Sequence, residues 1–309
     1  MTSNHRNHAP INETLSPLRY PGSKRRLASY IKKALELNSL KPSLYIEPFV
    51  GGASVALQLI REGWVEKAVL IDIDPWLASF WKTVFFDTDW LLEQVEKIEI
   101  SLEQWKKFKA AKPQTTREEA LTCLFLNRTS FSGILREEVG PLGGRNQASQ
   151  YKIDCRFSRP TLIARIQQAA TLRDRVYAVW NCSWEEGIER VRQEQGKGSL
   201  PSNNLFFYFD PPFFKEAENL YRFFFNKEDH IRLRDCLLSL EEKWILSYDF
   251  SEEVEELYGS AIKKRINGTH RKPIELLYSL ATISDKRSKG KEVIISNLEK
   301  LPEPFSGTG

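Results

Sequence analysis

The feature that most constrains this chain is an apolar run that ends in an acid and two prolines. Leu205-Phe206-Phe207-Tyr208-Phe209 follows a polar break at Ser202-Asn203-Asn204 and leads into Asp210-Pro211-Pro212-Phe213. A run this apolar predicts a central strand that is buried on both faces. Asp210 then lies at the carboxyl end of that strand, which is the edge of an α/β sheet where ligands bind.

The turn after this strand has a distinctive hydrogen-bonding character. Its two prolines carry no N–H group, so this part of the turn can only accept hydrogen bonds. The exocyclic amine of a nucleobase could donate to the Asp210 carboxylate and the Pro211 carbonyl while Phe213 stacks on the base. Taken alone, these residues also fit a tight proline turn with Asp210 as its cap.

Composition limits the class of protein. The 309 residues suit one large domain or one domain with an insertion. A formal net charge of +4 permits nucleic-acid binding without demonstrating it. Four widely separated cysteines predict reduced thiols and no metal site. Because no long apolar stretch and no leader sequence are visible, we expect a cytoplasmic protein.

The amino-terminal part alternates between strand and helix patterns. The short apolar runs at residues 44–46 and 67–71 predict parallel strands, with a Gly51-Gly52 turn between them and Asp72 at the second strand end. Asp72 has the position of an acid that accepts ribose hydroxyls, and either Asp72 or Asp74 could instead cap the next helix. The spacing lacks G-x-G-x-x-G, which counts against a dinucleotide cofactor.

A helical, arginine-containing stretch interrupts this alternation, and we interpret it as an inserted domain that contacts phosphates. The alternative is a solvated helical face. The final strands, expected at 261–266, 277–283 and 292–296, would end the sheet antiparallel. The predicted organisation is a catalytic domain at 16–90 and 174–300, an insert at 91–173, and flexible tails at 1–15 and 301–309. The basic residues of the interrupting stretch are Arg117, Arg128, Arg136, Arg145, Lys152, Arg156, Arg159, Arg165 and Arg173.

Several motifs together resemble the S-adenosylmethionine-dependent adenine-N6 DNA methyltransferases of the Dam-like family. The resemblance runs from about residue 17 to 298 and follows the order of that family. Its segments are Arg19-Tyr20-Pro21-Gly22-Ser23-Lys24, Glu47-Pro48-Phe49-Val50-Gly51-Gly52, Asp72-Ile73-Asp74, Asn127-Arg128-Thr129-Ser130-Phe131-Ser132-Gly133, Asp210-Pro211-Pro212-Phe213 and Glu292-Val293-Ile294-Ile295-Ser296-Asn297.

The resemblance implies a fold, a cofactor and partners. The fold is α/β, a Rossmann-like methyltransferase sheet with a parallel core and an antiparallel end, plus an inserted, mainly helical target-recognition domain. The implied methyl donor is S-adenosylmethionine, with no metal. The implied substrate is double-stranded DNA, with no membrane partner and with a cognate restriction endonuclease as a candidate partner. We expect a monomer or a weak dimer.

The resemblance also assigns roles to residues. The implied catalytic residues are Asp210, Pro211, Pro212 and Phe213. The implied cofactor-binding residues are Tyr20, Lys24, Glu47, Phe49, Gly51, Asp72 and Asp210. The implied DNA-binding residues are Asn127, Arg128, Phe131 and Arg136.

This chain departs from the family pattern at three places. Phe213 replaces the usual tyrosine, Gly22-Ser23 replaces a Gly-Gly pair, and the segment after Arg136 matches poorly, so no target sequence is inferred. The alternatives within enzymes are methylation of cytosine N4 or of RNA adenine. Outside that class they are a catalytically silent DNA-binding subunit and a dinucleotide-dependent oxidoreductase.

Overall fold

The structure is a computed structural model that describes residues 15–19, 24–215, 217–249, 251–264, 270–277 and 289–303. Its described strands form one sheet in the order β3-β2-β1-β4-β5-β7-β6. Strands β1 to β5 are parallel to one another, whereas β7 is antiparallel to both β5 and β6. The strands are β1 (Leu44–Glu47), β2 (Lys67–Asp72), β3 (Val176–Asn181), β4 (Leu205–Phe209), β5 (Lys243–Asp249), β6 (His270–Leu277) and β7 (Lys289–Ser296).

Helices cover both faces of this sheet. They are α1 (Arg25–Leu37), α2 (Ser54–Arg61), α3 (Pro75–Phe86), α4 (Thr88–Lys97), α5 (Leu102–Ala110), α6 (Thr116–Thr129), α7 (Arg159–Ala170), α8 (Trp184–Gly196), α9 (Ala217–Leu220), α10 (Lys227–Ser239) and α11 (Glu252–Lys264). Helices α1 to α7 share one buried cluster with the strands, and α8, α10 and α11 share a second. The predicted parallel sheet with an antiparallel end is confirmed.

Strand β4 is apolar throughout because neither of its faces meets water. Phe206 and Tyr208 belong to the first cluster, and Phe207 and Phe209 belong to the second. All five residues of β4 are buried. The chain order reverses between β1 and its neighbour β4, so Asp210 follows a strand at the switch point where open α/β sheets bind ligands.

Of the helices between β2 and β3, α3 packs directly on both strands, and the others pack on α3 or on one another. Helix α6 contacts α3, and α7 contacts both α3 and α4. Leu124 and Ile166 from these helices lie in the same cluster as Leu70 of β2. A reciprocal pair of bonds between Thr115 and Glu118 caps α6. The boundaries of the insert at 91–173 stay a prediction.

The strand expected at 261–266 is wrong where the structure describes it, because residues 261–264 end α11. Val254 and Tyr258 are buried one helical turn apart, and the Ser251 hydroxyl accepts the Val254 N–H at 3.3 Å at the helix start. Of the strand expected at 277–283, only residue 277 is described, and it ends β6; residues 278–283 lie outside the described residues. The strand at 292–296 is confirmed within β7.

None of the helices among the described residues combines the length and the apolar character needed to cross a membrane.

Candidate active site

A cleft opens at the carboxyl ends of β1, β2 and β4. It is also lined by residues 133–135 and 220–223. Of these, the sequence analysis had named only Gly133, as the last residue of the motif that begins at Asn127. Tyr20 lies outside the described residues. The predicted site residues that line the cleft are Lys24, Glu47, Phe49, Asp72, Asp210 and Pro212.

The Asp210 carboxylate is held by a chain of polar side chains. Ser247 on β5 donates its hydroxyl to Asp210 Oδ1 at 2.7 Å, and the Tyr208 and Ser247 hydroxyl oxygens are 2.9 Å apart. Because a hydroxyl has one proton, Tyr208 then donates to Ser247. Lys24 Nζ lies 3.5 Å from the same Oδ1. Burial raises the pKa of Asp210, while Lys24 and Ser247 oppose that rise.

The residues after Asp210 are fixed on both sides. Phe213 lies beside Lys24, whose Nζ is 5.3 Å from the ring centroid. Phe214 donates its N–H to Asp249 at 3.2 Å and stacks on the buried His230 ring at 4.1 Å. Burial lowers the pKa of His230 to about 4, so this ring is neutral at physiological pH. The turn is therefore anchored to the sheet and to α10.

Two acids lie at the carboxyl end of β2, Asp72 within the strand and Asp74 after it, and their contacts differ. Asp74 is the cap of α3, accepting the Trp76 N–H at 2.9 Å. Asp72 instead accepts the Gly51 N–H on Oδ2 and the Asp74 N–H on Oδ1, each at 2.9 Å. Burial, followed by the charge of Asp74, raises the pKa of Asp72 to about 7. The cap alternative thus applies to Asp74, while Asp72 lines the cleft.

Glu47 is a further buried acid at the end of β1. Its Oε2 accepts the Tyr45 hydroxyl at 2.8 Å. Burial raises the pKa of Glu47 well above its usual value, and the nearby charge of Asp210 adds to the rise. The cleft is therefore lined by four acids, Glu47, Asp72, Asp74 and Asp210. No group of His, Cys, Asp and Glu suited to a metal ion occurs within the described part of the chain.

Sequence reasoning missed Arg222, which lies at the cleft between α9 and α10. Its Nη1 is 2.6 Å from Asp74 Oδ1, and its guanidinium carbon is 3.6 Å from the Trp76 ring centroid. The only available signal was the aromatic richness of Tyr221-Arg222-Phe223-Phe224-Phe225, a loop without a helix or strand pattern.

The predicted DNA-binding residues divide into two pairs. Asn127 is fully buried and binds main-chain groups, accepting the Arg19 N–H at 2.7 Å and donating to Gly133 O at 2.9 Å. Arg128 is also buried and donates to Pro17 O. Both side chains therefore lie below the surface.

The second pair does reach the surface. Phe131 is 42% exposed. Arg136 pairs with Glu138 at 3.1 Å and lines a groove that continues from the cleft past residues 221–224. Direct DNA contact stays a prediction for all four residues, and the placement favours this second pair.

The sheet order, the acidic cleft and the Asp-Pro-Pro-Phe turn together define a Rossmann-like methyltransferase. Residues 20–274 match the family model described as D12 class N6 adenine-specific DNA methyltransferase. The chain belongs to this family, and its activity is the site-specific methylation of adenine in DNA. This excludes the oxidoreductase and cytosine alternatives.

Two curated relatives are similar to the chain at low identity. Type II methyltransferase M1.LlaDCHI from Lactococcus lactis subsp. cremoris is 23% identical over 90% of this chain and 94% of that protein. Type II methyltransferase M.MjaIII from Methanocaldococcus jannaschii is 24% identical over 73% of this chain and 80% of that protein. The chain was also matched to a solved structure, a precorrin 8w decarboxylase from Methanobacterium thermoautotrophicum. The match covers 88% of this chain and 89% of the decarboxylase, at 11% identity and a TM-score of 0.34.

Gly133 joins the Asn127 segment to the cleft, and its replacement by alanine should be costly. Its φ is +77°, and a Cβ there would lie 2.6 Å from Arg19 O. We expect Gly133→Ala to lower the free energy of unfolding by at least about 2 kcal/mol. Gly144→Ala is the matched control, because its φ is +78° with open space around the Cβ.

The control should cost about 1 kcal/mol from backbone strain alone. Urea unfolding of both variants measures the difference. Equal losses would show that the contact with Arg19 has no energetic weight.

Proposed function

We propose that the cleft binds S-adenosylmethionine and that the Asp210 turn holds the amine of an adenine flipped out of double-stranded DNA. The observation that carries this proposal is the shared cleft, because the acceptor turn and the acids of β1 and β2 line one space. The proposed cofactor residues are Lys24, Glu47, Phe49, Gly51, Asp72 and Asp210, with Tyr20 carried over from the family pattern.

The acids suit this cofactor, which carries a cationic sulfur, an ammonium group and ribose hydroxyls. Each carboxylate oxygen of Asp72 accepts one main-chain N–H group. A carboxylate can accept about four hydrogen bonds in total. Asp72 can therefore still accept ribose hydroxyls. Gly51 holds Asp72 in place through its N–H group.

Asp210 and Pro211 orient the substrate amine. When bound, S-adenosylmethionine supplies a methyl carbon attached to a positively charged sulfur. The amine lone pair is conjugated with the adenine ring, so acceptors that bind its N–H groups favour the geometry in which the lone pair faces that carbon. Among the described residues, both contacts of Asp210 are on Oδ1, which leaves Oδ2 for the amine.

Pro212 and Phe213 complete the proposed base site. Pro212 lines the cleft, and Phe213 offers a ring face held by Tyr221, whose centroid is 5.8 Å away. Stacking of a base on such a ring contributes about 1–3 kcal/mol, against a flipping cost of a few kcal/mol. The missing tyrosine hydroxyl does not alter this ring face.

The region 91–173 is the proposed DNA-recognition insert, with the exposed Phe131 and with Arg136 in the groove beside the cleft. Both curated relatives are named Type II methyltransferases. We extend that class to this chain, and with it the expectation of a cognate restriction endonuclease as partner.

Product analysis tests the function. The purified protein, tritiated S-adenosylmethionine and genomic DNA from a strain without adenine methylation should yield labelled N6-methyladenine on nucleoside chromatography. Matched RNA is the control substrate and should remain unlabelled. Label in N4-methylcytosine, in RNA or in no nucleoside would contradict the proposal.

Cofactor binding should depend on the ionisation of Asp72. With a pKa of about 7, the ionised fraction rises about tenfold from pH 6 to pH 8, so affinity for S-adenosylmethionine should rise by up to that factor. Calorimetry over this range measures the effect. Because neighbouring acids also titrate, Asp72→Asn is the comparison, and it should bind more weakly with a flatter profile. An identical pH dependence in both proteins would remove Asp72 from the cofactor site.

A further inference from the structure

Four arginines come together where the segment 15–19 meets the helices between β2 and β3. Arg128 on α6 donates to Pro17 O and approaches Arg156 O at 3.5 Å. Arg165 on α7 donates to Ser16 O at 3.4 Å. Arg19 is joined to the residue before Arg128, since the Asn127 side chain binds both Arg19 main-chain groups.

Three of these arginines lack an acidic partner among the described residues. No ion pair joins Arg19, Arg128 or Arg156 to a carboxylate in the parts of the chain that the structure describes. Arg19 Nη1 and Arg128 Nε are buried and have no hydrogen-bond partner. Burial, followed by the charges of Arg165, Arg19 and Arg156, lowers the pKa of Arg128 to about 9.

The cluster is graded from the interior to the solvent. Arg128 is 6% exposed, Arg19 and Arg165 are half-buried, and Arg156 is exposed. If the cluster only held residues 15–19 in place, the bonds to Ser16 O and Pro17 O would be explained. The presence of a further positive charge at Arg156, which repels the other three, would not be. An anion above the cluster would offset this repulsion and use the exposed guanidinium.

The cluster also has a defined relation to the cleft. Asn127 Nδ2 donates to Arg19 O at 2.6 Å and to Gly133 O at 2.9 Å, and Gly133 lines the cleft. One amide side chain thus connects the main chain of the cluster with the wall of the site. An anion bound at the cluster would therefore lie close to the wall of the cleft.

We propose that Arg156, supported by Arg19, Arg128 and Arg165, binds one backbone phosphate of the DNA substrate, an inference that rests on the proposed function. Guanidinium groups match the geometry of phosphate oxygens and form charge-assisted hydrogen bonds with them. The buried Arg128 contributes through its charge from below. The exposed Arg156 makes the direct contact.

A scan of neutralised phosphates tests this. The probe is a duplex that the wild-type protein methylates, prepared as a series in which each member carries a single methylphosphonate. In wild type, one position near the target adenine should raise the Kd about tenfold, the scale of one charge-assisted hydrogen bond. In Arg156→Gln the same position should have less than about a twofold effect, and the salt slope should fall by about one unit.

Arg190→Gln is the matched control, since Arg190 is an exposed arginine on α8 that stacks on Trp180 at 4.3 Å. It should retain the full wild-type scan. If Arg156→Gln also keeps the full effect at every position, the phosphate site is overturned and the cluster is a structural staple. In that case N6-methyladenine is still formed, whereas failure of the proposed function would remove methylation from wild type itself.

Discussion

The site depends on keeping a carboxylate at the end of a strand that is buried on both faces. Burial disfavours the ionised form of Asp210, and its pKa is raised accordingly. Lys24 and Ser247 act against that effect from two different parts of the chain, the start of α1 and the middle of β5. The turn after β4 is therefore completed by elements that are distant in sequence, and the folded sheet brings them together.

The other charges of the cleft follow the same principle, in that each buried acid receives donors from the backbone or a neighbouring side chain. Asp72 receives two N–H groups, Asp74 receives Arg222 and a helix start, and Glu47 receives a tyrosine hydroxyl. These bonds fix the carboxylates before any ligand enters. Preorganised acceptors need little rearrangement during the reaction, which is how such sites lower activation barriers.

The sequence predicted the features that local rules determine. The apolar run before Asp210 identified a doubly buried strand, and the acid after β2 identified the second ligand-binding edge. The sequence could not identify Ser247 as a partner of Asp210, because no polar pattern marks β5. It could not identify Arg222 as a cleft residue either, because the loop that carries it has no periodicity. The buried position of Asn127 was also missed, since a motif does not show which donors backbone carbonyls occupy. The strand expected at 261–266 is wrong at residues 261–264, because the helix that buries Val254 and Tyr258 continues through them.

The central claim is that Asp210 Oδ2 accepts the adenine amine during methyl transfer. Single-turnover transfer by Asp210→Asn tests it most directly, because the amide oxygen can still accept the Ser247 hydroxyl while the charge is lost. Saturating S-adenosylmethionine and DNA remove effects on binding, and an unchanged urea midpoint shows that the fold is intact. The account predicts a rate at least about 100-fold below wild type. A rate within about threefold of wild type would contradict it.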